Sequence, residues 1–132
     1  MKESIFNTLA GRYDAWYDSS RGKPLYESEL ACLRPLVEAS PRPLLEVGVG
    51  TGRFAMHFLP ATGIDPAEEA LKLAAKRGIK TLLGRAEALP LPEGSFGCAL
   101  LALTLCFVQE PLRVLREVHR VLRPEGLLVL AL

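Results

Sequence analysis

The stretch LLEVGVGTGRF, Leu44 to Phe54, decides the fold of this 132-residue chain. A short apolar run leads directly into three glycines placed two residues apart, Gly48, Gly50 and Gly52. Closely spaced glycines let the backbone turn sharply and let a ligand approach the main chain. The stretch therefore predicts a buried strand that ends in a ligand-binding turn.

On both sides of this stretch, apolar strand-like runs alternate with helical patterns. Strands are predicted at residues 44–47, 61–64, 79–83, 96–103 and 127–132, and helices at about 24–39, 53–59, 66–77 and 111–122. Such alternation is typical of parallel sheets with crossover helices. We therefore predict an α/β fold: a Rossmann-like, doubly wound, mostly parallel sheet of five strands with helices on both faces.

The predicted helices carry end signals and apolar faces. Asp65 is predicted as the N-cap of the third helix, Pro66 as its first residue and Gly78 as its stop. One face of the first helix is expected to contain Leu25, Leu30, Leu33, Leu36 and Val37, and one face of the last helix Leu112, Leu115, Val118 and Leu122. The opposite face of the last helix, with Arg113, Arg116, Glu117, Arg120 and Arg123, is expected to be solvated.

Composition excludes several function classes. The net charge of +1 is too low to be typical of a dedicated nucleic-acid-binding protein, so nucleic acid is an improbable partner. The start of the chain has no apolar signal-peptide core, and no apolar run approaches the ~18 residues of a membrane span. Three cysteines without metal-ligand spacing are expected to be free thiols, with no metal site. These features predict a cytoplasmic protein without membrane contact.

Three known glycine-rich motifs can be compared with this loop. The phosphate-binding code GxxxxGK[ST] is absent, and the dinucleotide code GxGxxG fails because Arg53 stands where the third glycine belongs. The observed pattern is E-x-G-x-G-x-G, from Glu46 to Gly52. This pattern resembles motif I of the class I S-adenosylmethionine-dependent methyltransferases.

The resemblance continues along most of the chain and indicates the small-molecule "methyltransferase type 11" subgroup. The further similar segments are FNTLAGRYDAWYD (6–18), GIDPAEEAL (63–71), GRAEALPLPEGSFGCALLALTL (84–105) and LREVHRVLRPEGLLVL (115–130). The subgroup implies one domain over residues 1–132, with a helical cap at 1–40 and a Rossmann-like core at 41–132. It usually has seven strands, so the resemblance also implies a C-terminally truncated chain that lacks the last two.

The resemblance implies S-adenosyl-L-methionine as the cofactor and a small-molecule methyl acceptor. The implied cofactor-binding residues are Glu46, Gly48, Gly50, Thr51, Gly52, Asp65, Pro66, Ala86, Glu87, Tyr13 and Tyr17. Asp65 would hold the ribose hydroxyls, the N–H groups of residues 48–52 would meet the amino-acid end, and Ala86 and Glu87 would lie along the adenine. Arg85 departs from the family, which often has Asp there, and this weakens the adenine assignment.

No catalytic residue follows from the sequence, because the sulfonium is already a good leaving group. Asp14, Tyr17 and His57 are candidates for a general base if the acceptor needs one. The alternatives are an NAD(P)-dependent oxidoreductase, an aminopropyl transferase of the same fold, and a methyltransferase-like binding domain without activity. An apolar last strand at the edge of the sheet would also allow a dimer through that edge.

Overall fold

The computed structural model describes residues 2–132, with side chains from Leu9 onward, so Phe6 lies outside the described side chains. The helices are α1 (Lys2–Trp16), α2 (Gly22–Glu38), α3 (Glu68–Lys76) and α4 (Pro111–Val121). The strands are β1 (Leu44–Val47), β2 (Ala61–Asp65), β3 (Lys80–Leu83), β4 (Phe96–Ala102) and β5 (Leu122–Ala131). Two short 3₁₀ turns lie at Ala55–His57 and Leu105–Phe107.

The five strands form one sheet in the order β3-β2-β1-β4-β5, and every neighbouring pair is parallel. The prediction of a Rossmann-like parallel α/β fold is confirmed. Because β1 lies between β2 and β4, the strand order reverses beside it. The carboxyl ends of β1 and β4 therefore flank a crevice, which is where open α/β sheets bind ligands.

The core has two layers, one on each face of the sheet. Neighbouring residues of β1 point to opposite faces: Leu44 packs with Leu33 and Val37 of α2, whereas Leu45 packs in the layer of α4. All seven residues of β4 are buried, as expected for a central parallel strand. Helices on both faces thus hold β1 and its glycine turn in a fixed position.

The buried faces of two helices differ from the prediction. Leu25 and Leu36 of α2 are exposed, while Leu33 and Val37 are buried. In α4 the buried residues are Val114, Val118 and Val121, whereas Leu112 is exposed. Val118 belongs to both series, and the buried face is rotated from the predicted one toward Val114 and Val121, so that Leu115 and Leu122 are only half-buried.

Several predicted boundaries were also wrong. Ala67, rather than Asp65, is the residue before α3, and the Asp65 carboxylate accepts a hydrogen bond from its N–H group. Residues 53–59 form a short turn instead of a helix, and β5 begins at Leu122 instead of residue 127. Gly78 has a φ of 91° and directly follows Arg77, the C-cap residue of α3, so the predicted helix stop is confirmed.

Candidate functional site

A cavity of about 250 Å³ opens at the carboxyl edge of the sheet. The ends of four adjacent strands contribute to its wall: residues 84–87 after β3, Ile64 and Asp65 of β2, Gly48 and Gly50 after β1, and residues 102–104 of β4 and its following loop. The other lining residues are Ala10 and Tyr13 of α1, Thr51 of the glycine turn, Pro66, Ala67 and Ala70 at the start of α3, and Phe107, Val108 and Gln109 of the β4–α4 loop. Strands lie about 4.8 Å apart, so the four strand ends form a row of roughly 14 Å.

The glycine turn needs glycine for two different reasons. Gly48 has a φ of 75°, and a Cβ atom there would collide with the side chain of Thr104. Gly50 has a φ of 55°, but a Cβ atom there would meet nothing within 4 Å. The turn is therefore closely packed at Gly48 and open to the cavity at Gly50.

Four N–H groups of the turn, those of Gly48, Val49, Gly50 and Gly52, donate to acceptors within the protein. Gly48 N–H donates to the carbonyl of Ile64 at 2.8 Å, and Gly50 N–H donates to Oδ2 of Asp65 at 2.9 Å. We had expected these groups to meet the amino-acid end of a ligand. Because they are committed to β2, the turn offers the cavity carbonyl oxygens, which favour a cationic amine over a carboxylate.

Asp65 stands at the end of β2, on the cavity wall. Its Oδ1 accepts a hydrogen bond from Ala67 N–H at 2.8 Å, and its Oδ2 accepts the bond from Gly50. The carboxylate is thereby held between the glycine turn and the start of α3. Each oxygen of a carboxylate can accept more than one hydrogen bond, so Asp65 remains suited to receiving a pair of hydroxyl groups.

Of the eleven residues predicted for the cofactor, Glu46, Gly52 and Tyr17 do not belong to the cavity wall. Glu46 lies beneath the turn, 1% exposed, and its Oε1 accepts a hydrogen bond from Ala55 N–H at 3.1 Å. Burial raises the pKa of Glu46 well above its usual value. Its position supports the backbone that follows the turn.

The two predicted tyrosines have different surroundings. Tyr13 lines the cavity, whereas Tyr17 is 6% exposed and packs edge-on against Tyr13, with ring centroids 5.5 Å apart. Their hydroxyl groups are 3.0 Å apart. Burial and the contact with Tyr13 raise the pKa of Tyr17, which disfavours its ionisation as a base.

Asp14 of α1 is an anchor between the helix and the turn. It accepts hydrogen bonds from Thr51 Oγ1 at 2.7 Å, from both terminal nitrogens of Arg77 at 2.7 and 2.8 Å, and from Nε of Arg53 at 2.9 Å. Partial burial would raise the pKa of Asp14, but the bonds from Arg77, Arg53 and Thr51 outweigh it and hold the pKa well below its usual range. A carboxylate bound in this way is a poor proton acceptor.

His57 is the third candidate base, and it too lies away from the cavity wall. Its Nε2 is 2.7 Å from the hydroxyl group of Tyr26, and that hydroxyl group also lies 2.6 Å from the carbonyl oxygen of Arg53. Burial lowers the pKa of His57. The three candidate bases are therefore supporting residues of the turn and α1 in this structure.

In the wall that follows β4, sequence reasoning missed Leu103 and Thr104. Leu103 has a φ of 59°, a left-handed conformation that is uncommon for leucine, and it lines the cavity beside Thr104. Their position directly after the carboxyl end of a central strand was the available signal. Strain at such a point is frequent at functional sites.

The comparisons with known proteins agree on one family. Residues 45–130 match the family model described as a methyltransferase domain. An uncharacterized protein of Mycobacterium tuberculosis is 46% identical over 121 residues, which are 92% of this chain and 42% of that protein. The ubiquinone/menaquinone biosynthesis C-methyltransferase of Methylobacterium nodulans is 33% identical, over 92% of this chain and 55% of its own.

A solved structure has the same fold. It is that of an S-adenosylmethionine-dependent methyltransferase, a possible histamine N-methyltransferase, from Thermotoga maritima, with a TM-score of 0.84 and 37% identity. The match covers 96% of this chain and 59% of that one. This chain thus spans about half the length of these relatives.

Proposed function

Because the chain belongs to the S-adenosylmethionine-dependent methyltransferases, we propose that it transfers the methyl group of S-adenosyl-L-methionine to a nucleophile on a small molecule. The observation that carries the proposal is the carboxylate of Asp65, held by two backbone N–H groups on the wall of the cavity. The relatives extend beyond this chain, so the complete reaction is a proposal for the protein as a whole.

The row of strand ends supports one orientation of the cofactor. Asp65, at the end of β2, would accept hydrogen bonds from both ribose hydroxyls, and Pro66 would flank the same sugar. Ala86 and Glu87, at the end of β3, would lie along the adenine. The carbonyls of the turn at Gly48 and Gly50 would receive the ammonium group, and the methyl group would then face the β4 side.

The residues of the wall fit this cofactor. Gly50 leaves open space beside the backbone, Asp65 supplies a charged acceptor, and the ring of Tyr13 can lie near a sulfonium cation. Gly52, Glu46 and Tyr17 would act from behind the wall, by holding the turn and α1 in place. Thr51 lies on the wall and would hold α1 through its hydrogen bond to Asp14. Arg85 cannot accept a hydrogen bond from the adenine amino group, so Glu87 is the side chain proposed for that role.

When bound, the cofactor supplies an electrophilic methyl group on a good leaving group. The protein's own contribution is to orient the acceptor for in-line attack and to exclude water. Helix α1 with Tyr13 and the β4–α4 loop with Phe107 form the two sides of the cavity mouth. We assign no general base.

The proposed reaction takes place in the cytoplasm, where a methyl donor and a reducing environment coexist. Cys32, Cys98 and Cys106 are free thiols, which supports that location. Among helices of the described part of the chain, none is sufficiently long and apolar to cross a bilayer.

The test compares two ligands and two proteins by calorimetric titration. Wild-type protein should bind S-adenosylhomocysteine and should bind its 2′-deoxyribose analogue about tenfold more weakly, because one hydrogen bond to a charged group is lost. Asp65→Asn should bind the two ligands with nearly equal, reduced affinity. Glu68→Gln, an exposed neighbour at the start of α3, is the matched control and should behave as wild type.

Binding of NADH in place of S-adenosylhomocysteine would overturn the assignment in favour of an oxidoreductase. Binding of S-adenosylhomocysteine without methylation of any acceptor by the full-length protein would favour a binding domain that lacks activity.

A further inference from the structure

The loop between β3 and β4 carries Ala86 and Glu87 on the cavity wall, yet residues 84–95 contain neither helix nor strand. Pro90 and Pro92 lie within it and have no N–H group to donate. Its position must therefore be set by contacts with other elements. Leu89 supplies one such contact, because its side chain is 4% exposed in the core layer of α4.

Backbone hydrogen bonds hold the two ends of the loop, from Gly84 to Asp65 and from Gly94 and Ser95 to the end of α4. An ion pair on α4 holds its middle. Arg120 donates from its two terminal nitrogens to the carbonyls of Leu91 and Leu89, both at 2.9 Å. Glu117 Oε1 accepts the N–H group of Leu89 at 2.9 Å, and Glu117 Oε2 accepts Nε of Arg120 at 2.6 Å. Both polar groups of the Leu89 backbone are thus bonded to one side-chain pair.

We propose that Glu117 and Arg120 are positioning residues for the adenine wall, which they orient by clamping the backbone of Leu89 and Leu91. The proposal rests on the proposed function, since that function makes residues 86 and 87 the adenine wall. The pair itself does not belong to the cavity wall. The pair acts through Leu89 of the loop, which lies two residues after Glu87 and three residues after Ala86 in the sequence.

The charge state of the pair favours a rigid clamp. The hydrogen bond from Arg120 holds the pKa of Glu117 below its usual value, so the carboxylate is ionised near neutral pH. Charge-assisted hydrogen bonds are shorter and stronger than neutral ones, and the fork of arginine fixes two directions at once. The peptide groups on both sides of Leu89, which lies two residues after Glu87, are therefore held by directional bonds in addition to the burial of the Leu89 side chain.

A matched pair without this role lies at the start of α4, where Glu110 is the N-cap residue. Glu110 and Arg113 have the same residue types and the same spacing of three, at 3.4 Å, but both are exposed. An exposed pair of this kind contributes little on its own. The variants Glu117→Gln and Arg120→Lys can therefore be compared with Glu110→Gln and Arg113→Lys on the same helix.

The experiment measures affinity for S-adenosylhomocysteine and for S-inosylhomocysteine, which lacks the 6-amino group of adenine. Wild type and the Glu110 and Arg113 variants should prefer the adenosine ligand. The Glu117 and Arg120 variants should bind that ligand about tenfold more weakly and lose most of the preference, whereas a merely structural effect would weaken both ligands equally. An unchanged preference in the clamp variants, or none in wild type, would overturn the proposal.

Amide hydrogen exchange gives a second readout that needs no ligand. The N–H group of Leu89 should exchange about tenfold faster in Arg120→Lys than in Arg113→Lys. If wild type bound neither ligand, the proposed function would fail, and equal exchange in the two variants would show separately that the clamp does not hold the loop.

Discussion

Two glycines of the turn show how one residue type can serve two purposes. Gly50→Ala should reduce the free energy of unfolding by only about 1 kcal/mol, the cost of a positive φ for alanine. Gly48→Ala adds a collision with Thr104, so a further loss of about 1–3 kcal/mol is expected from overpacking. Urea denaturation of both variants measures the difference.

Thr104→Ala provides the control for that comparison. Truncation removes the two atoms of Thr104 that lie nearest to the Cβ position of Gly48 and leaves its Cβ at 3.0 Å. The double variant Gly48→Ala/Thr104→Ala should recover part of the unfolding free energy that Gly48→Ala loses. The double variant Gly50→Ala/Thr104→Ala should show no such recovery. Equal losses for the two single glycine variants would contradict the steric account.

Glu46 predicts a pH dependence of stability. Its pKa is raised in the folded state, so its contribution is fully present below the ordinary pKa and is lost as the pH rises through the folded value. Glu46→Gln keeps an acceptor for Ala55 N–H and removes the titration. The difference in unfolding free energy should therefore shift in favour of the variant as the pH rises above 4.5, the ordinary pKa of the group. A difference that does not change with pH would contradict this.

Local signals were sufficient to predict Gly48 and Gly50 at the cavity, because the strand end and the glycine pattern are adjacent in sequence. The family resemblance added Asp65 at the end of the next strand. The partners of Asp14 could not be found in that way. Arg53 and Arg77 lie 39 and 63 residues from it. The family resemblance implies that the N-terminal helical segment caps the core, but nothing in the sequence pairs Asp14 with these two arginines. The sequence therefore indicated Asp14 as a candidate base, whereas in the structure its carboxylate anchors helix α1 to the turn.

At the scale of the element, the hydrogen bonds of Asp14 should fix the position of α1 over the cavity. Asp14→Asn removes the negative charge of the carboxylate that accepts hydrogen bonds from Arg53, Arg77 and Thr51. We therefore expect a loss of about 2–3 kcal/mol in unfolding free energy. The pKa of Asp14 is lowered in the folded state. Its contribution is thus present above the ordinary pKa of 3.8 and disappears as the pH falls further, so the variant and wild type should converge in acid.

Asp18 is the matched control on the same side of the molecule. It bonds to Arg53 at 2.7 Å, but its side chain is 68% exposed. Asp18→Asn should change stability little, because exposed ion pairs contribute little. Thermal denaturation and titration with S-adenosylhomocysteine at neutral pH compare the two, and equal effects would show that Asp14 is no special anchor.

Helix α4 shows why the sequence predicted the bounds of a helix better than it predicted which side of the helix is buried. Its length and position followed from the apolar periodicity, yet the buried series consists of valines, and the face of arginines contains the clamp of Glu117 and Arg120. Which face turns inward depends on the strands that it covers. That information is spread over β1 and β4 and is not present in the helix itself.

At the scale of the whole molecule, the parallel sheet followed from the alternation of strands and helices, whereas the strand order did not. The reversal beside β1 depends on the chain crossing from β3 to β4 at the other side of β1. Only that crossing brings Thr104 next to Gly48 and closes the cavity. The glycine turn could thus be predicted, but its opposite wall needed the tertiary structure.

The edge strand β5 leads to a prediction about association. Leu127, Leu128 and Leu130 are 49%, 37% and 39% exposed along a strand that pairs only with β4 in the described sheet. We expect two copies of the 132-residue chain to pair antiparallel through β5, since a twofold axis can join identical edges in that way. Sedimentation velocity over a range of concentrations should show dimers, and Leu130→Lys should shift them to monomers.

The opposite edge supplies the control for that experiment. Leu83 of β3 is 60% exposed, more than any of the three leucines of β5, but β3 is only four residues long. Main-chain pairing requires a long continuous edge, whereas nonspecific apolar adhesion depends only on exposure. If pairing through β5 causes the association, Leu83→Lys should leave the dimers intact. If both lysine variants abolish it equally, adhesion of exposed leucines, and not strand pairing, joins the copies.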